Sequence, residues 1–104
     1  MNIEVTYRSD SIPQALREYA GRQIEKLERF GETFEKGEVV FKQEANEIAC
    51  EGLLHRQKGE PFVAHDSAAD GRSAIDNVVD KLERQILKDK EKHSAKARRH
   101  RAAD

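Results

Sequence analysis

The sequence predicts an α+β domain of order β-α-β-β-β-α, with two helices packed on one face of a four-stranded sheet. Three observations predict it. The chain opens with an alternating apolar–polar run. One stretch near each end repeats its apolar residues every three or four positions. Between those stretches lie three short runs rich in β-branched and aromatic residues, each bounded by turn chemistry. At 104 residues the chain is long enough for one core and too short for two.

Asn2-Ile3-Glu4-Val5-Thr6-Tyr7-Arg8 has the period-2 pattern of a half-buried strand. Ser9-Asp10-Ser11 offers turn and cap chemistry, and Pro13 suits a first helical turn. From Ile12 to Phe30 the apolar positions Ile12, Leu16, Tyr19, Ala20, Ile24, Leu27 and Phe30 form one stripe, and Gly31 supplies a left-handed stop. Strands are expected at 38–42, 48–56 and 61–68, with turns at Ala45-Asn46-Glu47 and Gln57-Lys58-Gly59-Glu60. Pro61 implies a strand end or an edge. Asp70 can cap the second helix, whose stripe is Ile75, Val78, Val79, Leu82 and Ile86 and fades after Leu87. The domain is therefore drawn over 1–93, and 94–104, with no apolar residue larger than Ala, reads as a basic, disordered tail.

Composition narrows the function. The chain is 38% charged, with a net charge of −1. No apolar run approaches the roughly 20 residues of a membrane span, and the N-terminus has no signal-peptide pattern. A single cysteine, Cys50, excludes an internal disulfide and fits a cytoplasmic setting. The near-neutral balance conceals an asymmetry. Residues 1–70 carry 9 basic against 14 acidic side chains, net −5, and residues 71–104 carry 10 against 6, net +4. Lys88, Lys90, Lys92, Lys96, Arg98, Arg99 and Arg101 crowd the end, opposed there only by Asp89 and Glu91, with His93 and His100 among them. Such asymmetry points to an acidic partner.

The cations are also ordered. Lys81, Arg84, Lys88, Lys92 and Lys96 are spaced 3, 4, 4 and 4 apart, one line beside the apolar stripe of the second helix. Like charges at i,i+4 cost an isolated helix about 0.2–0.5 kcal/mol per pair, a cost that anion binding recovers. Arg22, Lys26 and Arg29 make a shorter line on the first helix, and if the helices lie side by side the two lines would join into a cleft. The plainer reading of the first helix is routine surface pairing, Glu18 with Arg22 and Glu25 with Arg29.

Catalytic and cofactor signatures are missing. No glycine-rich phosphate loop and no zinc-spaced Cys/His pairs occur. Cys50 falls inside a strand and reads as a small buried hydrophobe. His55 and His65 are expected to face each other on adjacent strands, near Asp66, but two imidazoles without a third ligand make a weak metal or acid–base signal. The chain reads as no enzyme, with no cofactor, metal or small-molecule substrate.

With the elements placed, the sequence resembles the ribosome hibernation-promoting factor family, also called protein Y or ribosome-associated inhibitor A. The resemblance runs from Met1 to about Lys92. Ile12-Pro13-Gln14-Ala15-Leu16-Arg17-Glu18-Tyr19 and Lys26-Leu27-Glu28-Arg29-Phe30 carry it in the first helix. Ala74-Ile75-Asp76 and Asp80-Lys81-Leu82-Glu83-Arg84-Gln85-Ile86 with Lys88 carry it in the second. It implies a fold similar to double-stranded RNA-binding domains. It also implies a protein, monomeric off the ribosome, that occupies the mRNA and tRNA channel of the small subunit and silences translation under stress. The positions matching the family's rRNA contacts are Arg22, Lys26, Arg29, Lys81, Arg84, Lys88 and Lys92. Two departures stand out: Arg72 where the family often has an aromatic residue, and Asp66 where a small apolar residue is expected. The chain stops about where short members stop, without the further domain by which long members pair ribosomes. The rival reading is a protein-interaction module, such as a transcription-factor modulator, with no RNA contact.

Overall fold

Four strands and two helices follow the expected order: β1 (Asn2–Tyr7), α1 (Gln14–Glu25), β2 (Phe34–Glu44), β3 (Glu47–Arg56), β4 (Phe62–Ala68) and α2 (Gly71–Ala103). The structure, a computed structural model, describes residues 1–9 and 11–92; α2 is traced to Ala103, with side chains described through Lys92. The expected tail at 94–104 therefore lies outside the described residues.

The sheet order is β1-β2-β3-β4, with β1 parallel to β2 and the other neighbours antiparallel. The α1 crossover makes the parallel pair possible, whereas tight turns join the antiparallel ones. Alternation along the strands then sends Val5, Val39, Phe41, Cys50, Leu54, Phe62 and Ala64 to one face. Ile24 and Leu27 cover that face from the first helical segment, and Ile75, Val78, Leu82 and Ile86 from α2. The helices approach closely at Gly52, where an added Cβ would lie 2.7 Å from Val78 Cγ1 and 3.2 Å from Leu82 Cδ1.

Boundaries moved in two places. The first helix is α-helical only to Glu25 and continues as a 3-10 helix over Lys26–Phe30 before Gly31 ends it at φ 81°. The apolar spacing explains the change. Leu16, Ala20 and Ile24 are four apart, but Ile24, Leu27 and Phe30 are three apart, and the 3-10 period stacks residues three apart on one line. Strand β2 begins at Phe34, four residues before the expected Glu38, because a register shift between Phe34 and Lys36 accommodates Glu35 as an extra residue. That irregularity lets both Phe34 and Val39 face the core, a pattern strict alternation does not reveal.

Other expectations hold. Ala45-Asn46 forms the β2–β3 turn, with Ala45 at φ 51°. Pro61 immediately precedes β4, which is an edge strand. Asp70 caps α2: its carboxylate accepts the Ser73 backbone N–H at 2.8 Å and the Ser73 hydroxyl at 3.1 Å. At the start of α2, Arg72 takes over the role expected of an aromatic residue by placing its guanidinium 4.9 Å from the centre of the Tyr19 ring.

Candidate nucleic-acid interface

Helix α2 lies against different neighbours on its two flanks. Toward α1, the Asp76 carboxylate accepts the Tyr19 hydroxyl at 2.7 Å and the Gln23 amide at 3.0 Å, and Arg29 reaches Glu83 at 3.5 Å. The bond to Asp76 raises the Tyr19 pKa above its ordinary value, since a carboxylate favours the protonated phenol. On the opposite flank, Lys81 donates to the His65 carbonyl at 3.0 Å and Gln85 to the Val63 carbonyl at 2.8 Å, both on the free edge of β4. Those two contacts fix the direction of the basic line. Lys81, Arg84 and Lys88, spaced 3 and 4, run along the β4 side of α2, and Lys92 continues them.

The line on the first helical segment sits elsewhere. Lys26 continues the row of Tyr19 and Gln23, spaced 4 and 3, beside the seam with α2, and Arg29 crosses that seam. The single cleft expected from side-by-side helices is therefore not formed. The two basic lines run along opposite sides of α2, separated by a helix about 10 Å across, with Asp76 and Glu83 on the seam side.

The seven cations divide by partner. Arg84 pairs with Asp80 at 2.7 Å, the i,i+4 contact expected from spacing. Lys81 lies 3.4 Å from Asp66, and Arg29 pairs with Glu83 rather than with Glu25. Arg22, Lys26, Lys88 and Lys92 are exposed, and among the described residues no carboxylate pairs with them. Asp66 is thus the departure with a consequence. The Ser67 backbone N–H, and after it Lys81, hold its carboxyl below the ordinary carboxylate range. Its pairing with Lys81 depends on the fold of β4 against α2, and spacing alone gives no sign of it.

The remaining candidates have structural roles. His55 and His65 do not face each other: His65 is paired with Glu51, while His55 lies opposite Lys36 and bonds Glu38 at 2.6 Å. That bond, with a smaller part from Lys36, lowers the Glu38 carboxyl. Among the described residues no group of three His, Cys, Asp or Glu side chains is placed to hold a metal ion. Cys50 is buried, and burial pushes its thiol up to about 12, which leaves it protonated and unreactive at neutral pH. No helix of the described residues is long and apolar enough to cross a membrane.

Known proteins match this arrangement. The family model described as "Sigma 54 modulation protein / S30EA ribosomal protein" matches residues 3–94. The chain belongs to this family. It is 32% identical over 104 residues to the ribosome hibernation promoting factor of Azotobacter vinelandii, covering 100% of this chain and 96% of that protein. It is 35% identical over 92 residues to the factor of the same name from Escherichia coli, covering 88% and 96%. The crystal structure of the Thermus thermophilus Protein Y N-terminal domain superposes with TM-score 0.74 at 28% identity, covering 83% of this chain and 96% of that domain. A ribosomal subunit interface protein from Coxiella burnetii shares the fold, with TM-score 0.75 at 23% identity over 86% and 98% of the two chains.

Proposed function

We propose that this family member is a ribosome hibernation factor. It acts by occupancy: the domain sits in the mRNA and tRNA channel of the small subunit in the cytoplasm, held by salt links from its helix flanks to rRNA phosphates. The observation that carries the reading is the line of Lys81, Arg84, Lys88 and Lys92 along the β4 side of α2, ending in two cations that meet no carboxylate among the described residues. Arg22, Lys26 and Arg29 supply a second line beyond the body of α2. The names of the relatives support the same partner. Off the ribosome the protein is a monomer, because long side chains guard both sheet edges. Arg17 donates to the Val5 carbonyl on β1, and Lys81 and Gln85 cover β4.

Sedimentation of the purified protein with ribosomes in low and high salt tests the proposal. The protein should travel with small subunits and whole ribosomes at low salt and dissociate steeply as salt rises, since each phosphate contact releases counterions. Absence from those fractions at low salt would sink it. Neutralising Lys81, Arg84 and Lys88 together should abolish the association. The rival reading, a modulator of a protein partner, gains support from the first half of the family description and from the sheet face turned away from the helices. There Val40 and Leu53 are half-buried and Val63 is 41% exposed. Under that reading the same triple variant would bind its partner unchanged.

A further inference from the structure

We propose that Asp66, Asp80 and Glu83 act as resident counter-ions that make this surface selective among RNAs. The proposal rests on the RNA-binding reading above and adds a function for the acidic side chains within the basic lines. Each of the three meets a different cation of the candidate interface: Asp66 with Lys81 at 3.4 Å, Asp80 with Arg84 at 2.7 Å and Glu83 with Arg29 at 3.5 Å. A phosphate can take up any of these cations only by displacing a carboxylate. Arg22, Lys26, Lys88 and Lys92 impose no such exchange among the described residues.

The consequence is a two-tier surface. Exposed ion pairs are weak, so a rigid phosphate array that fits both lines displaces all three carboxylates. An RNA of the wrong shape reaches fewer cations and gains mainly from the unpaired ones. Against duplex RNA, four available cations correspond to a salt slope of about 3–4 and seven to about 6. The carboxylates thus hold generic binding down while leaving the fitted partner's binding nearly intact. This also explains why a chain with two basic lines keeps a net charge of −1.

Replacing the carboxylates by their uncharged isosteres, Asp66→Asn, Asp80→Asn and Glu83→Gln together, tests the idea on the full chain. Asn at 66 keeps an acceptor for the Ser67 N–H, and Lys81 retains the His65 carbonyl, so the local fold is preserved. Two probes are compared across a salt series: an RNA duplex of unrelated sequence, and whole ribosomes. The triple variant should bind the generic duplex about tenfold more tightly at low salt, with a slope steeper by about 2–3, while its ribosome affinity rises by a smaller factor. Unchanged generic binding, or an equal gain on both probes, overturns the proposal. Asp80→Asn alone, at the most exposed of the three carboxylates (58%), should give about a two- to threefold gain on the generic duplex and decides the matter if the triple variant fails to fold. Wild-type protein that never sediments with ribosomes overturns the functional reading instead, while the duplex series still reports on the carboxylates.

Discussion

The two flanks of α2 use the same kinds of residue for different ends. On the α1 side, charges close on one another: Asp76 gathers Tyr19 and Gln23, Glu83 meets Arg29, and Arg72 lies over the Tyr19 ring. On the β4 side the line begins with Lys81 and Arg84, each held by a neighbour, and runs on to Lys88 and Lys92, which meet no carboxylate among the described residues. The contrast teaches that the presence of a cation says little about its role. What it already touches says more, because a satisfied charge holds the fold and an unsatisfied one is available to a partner.

Substitutions at the buried stripe between these flanks should have the largest effect on stability and should not distinguish them. Leu82 is fully buried against the sheet, and Leu82→Ala should cost about 2–5 kcal/mol in denaturant unfolding. Gly52→Ala should follow at about 1–3 kcal/mol, since the new methyl would overlap Val78. A Gly52→Ala variant as stable as wild type would mean that α2 can lift from β3, and the rigid separation of the two flanks would fall with it.

Much of this was legible before any coordinates. The strand and helix order, the Asp70 cap, the Gly31 stop and the buried stripe of α2 each follow from local chemistry: period, capping oxygen, glycine, apolar spacing. The Lys81–Lys92 line was legible for the same reason, since helix geometry converts spacing into direction. The facts that were hidden are relations between elements. Which neighbour each flank of α2 faces depends on how the helices lie on the sheet, so the expected joined cleft became two lines. Asp66 meets Lys81 only through the register of β4, and Glu83 takes Arg29 only because the 3-10 turn brings it across the seam. His55 and His65 were misplaced because strand register cannot be counted from turn positions alone.

The seam itself makes the next comparison. Asp76→Ala removes the acceptor of two hydrogen bonds between exposed groups and should cost about 1 kcal/mol or less in thermal or urea unfolding. Ribosome affinity per folded molecule should stay the same, because this flank meets its own needs; a marked loss of affinity would make it part of the interface. Smaller still is a pH effect on the β4 side. The folded Asp66 carboxyl titrates below its ordinary 3.8, so its pairing contributes stability above that value and loses it as the pH falls through the folded pKa. The difference in melting temperature between wild type and Asp66→Asn should therefore be constant from neutral pH down to the carboxylate range and shrink below it. A difference that changes near neutral pH would point to another group.

Lys88→Ala should have the least effect on the fold and the clearest effect on binding. Lys88 is exposed, pairs with no carboxylate among the described residues, and stands four residues before another lysine. Removing it relieves a like-charge pair costing about 0.2–0.5 kcal/mol and introduces the strongest helix former. Stability should accordingly stay within about 0.5 kcal/mol of wild type and shift upward rather than down. Ribosome binding should weaken at low salt, and its salt slope should fall by about 1, the signature of one lost phosphate contact. Lys81→Ala is the matched control. It strips the His65 carbonyl and Asp66 of their partner, so it should lower both stability and affinity. If the two variants behaved alike in unfolding, the line would not be divided between held and free cations, and the distinction drawn between the flanks would lose its basis.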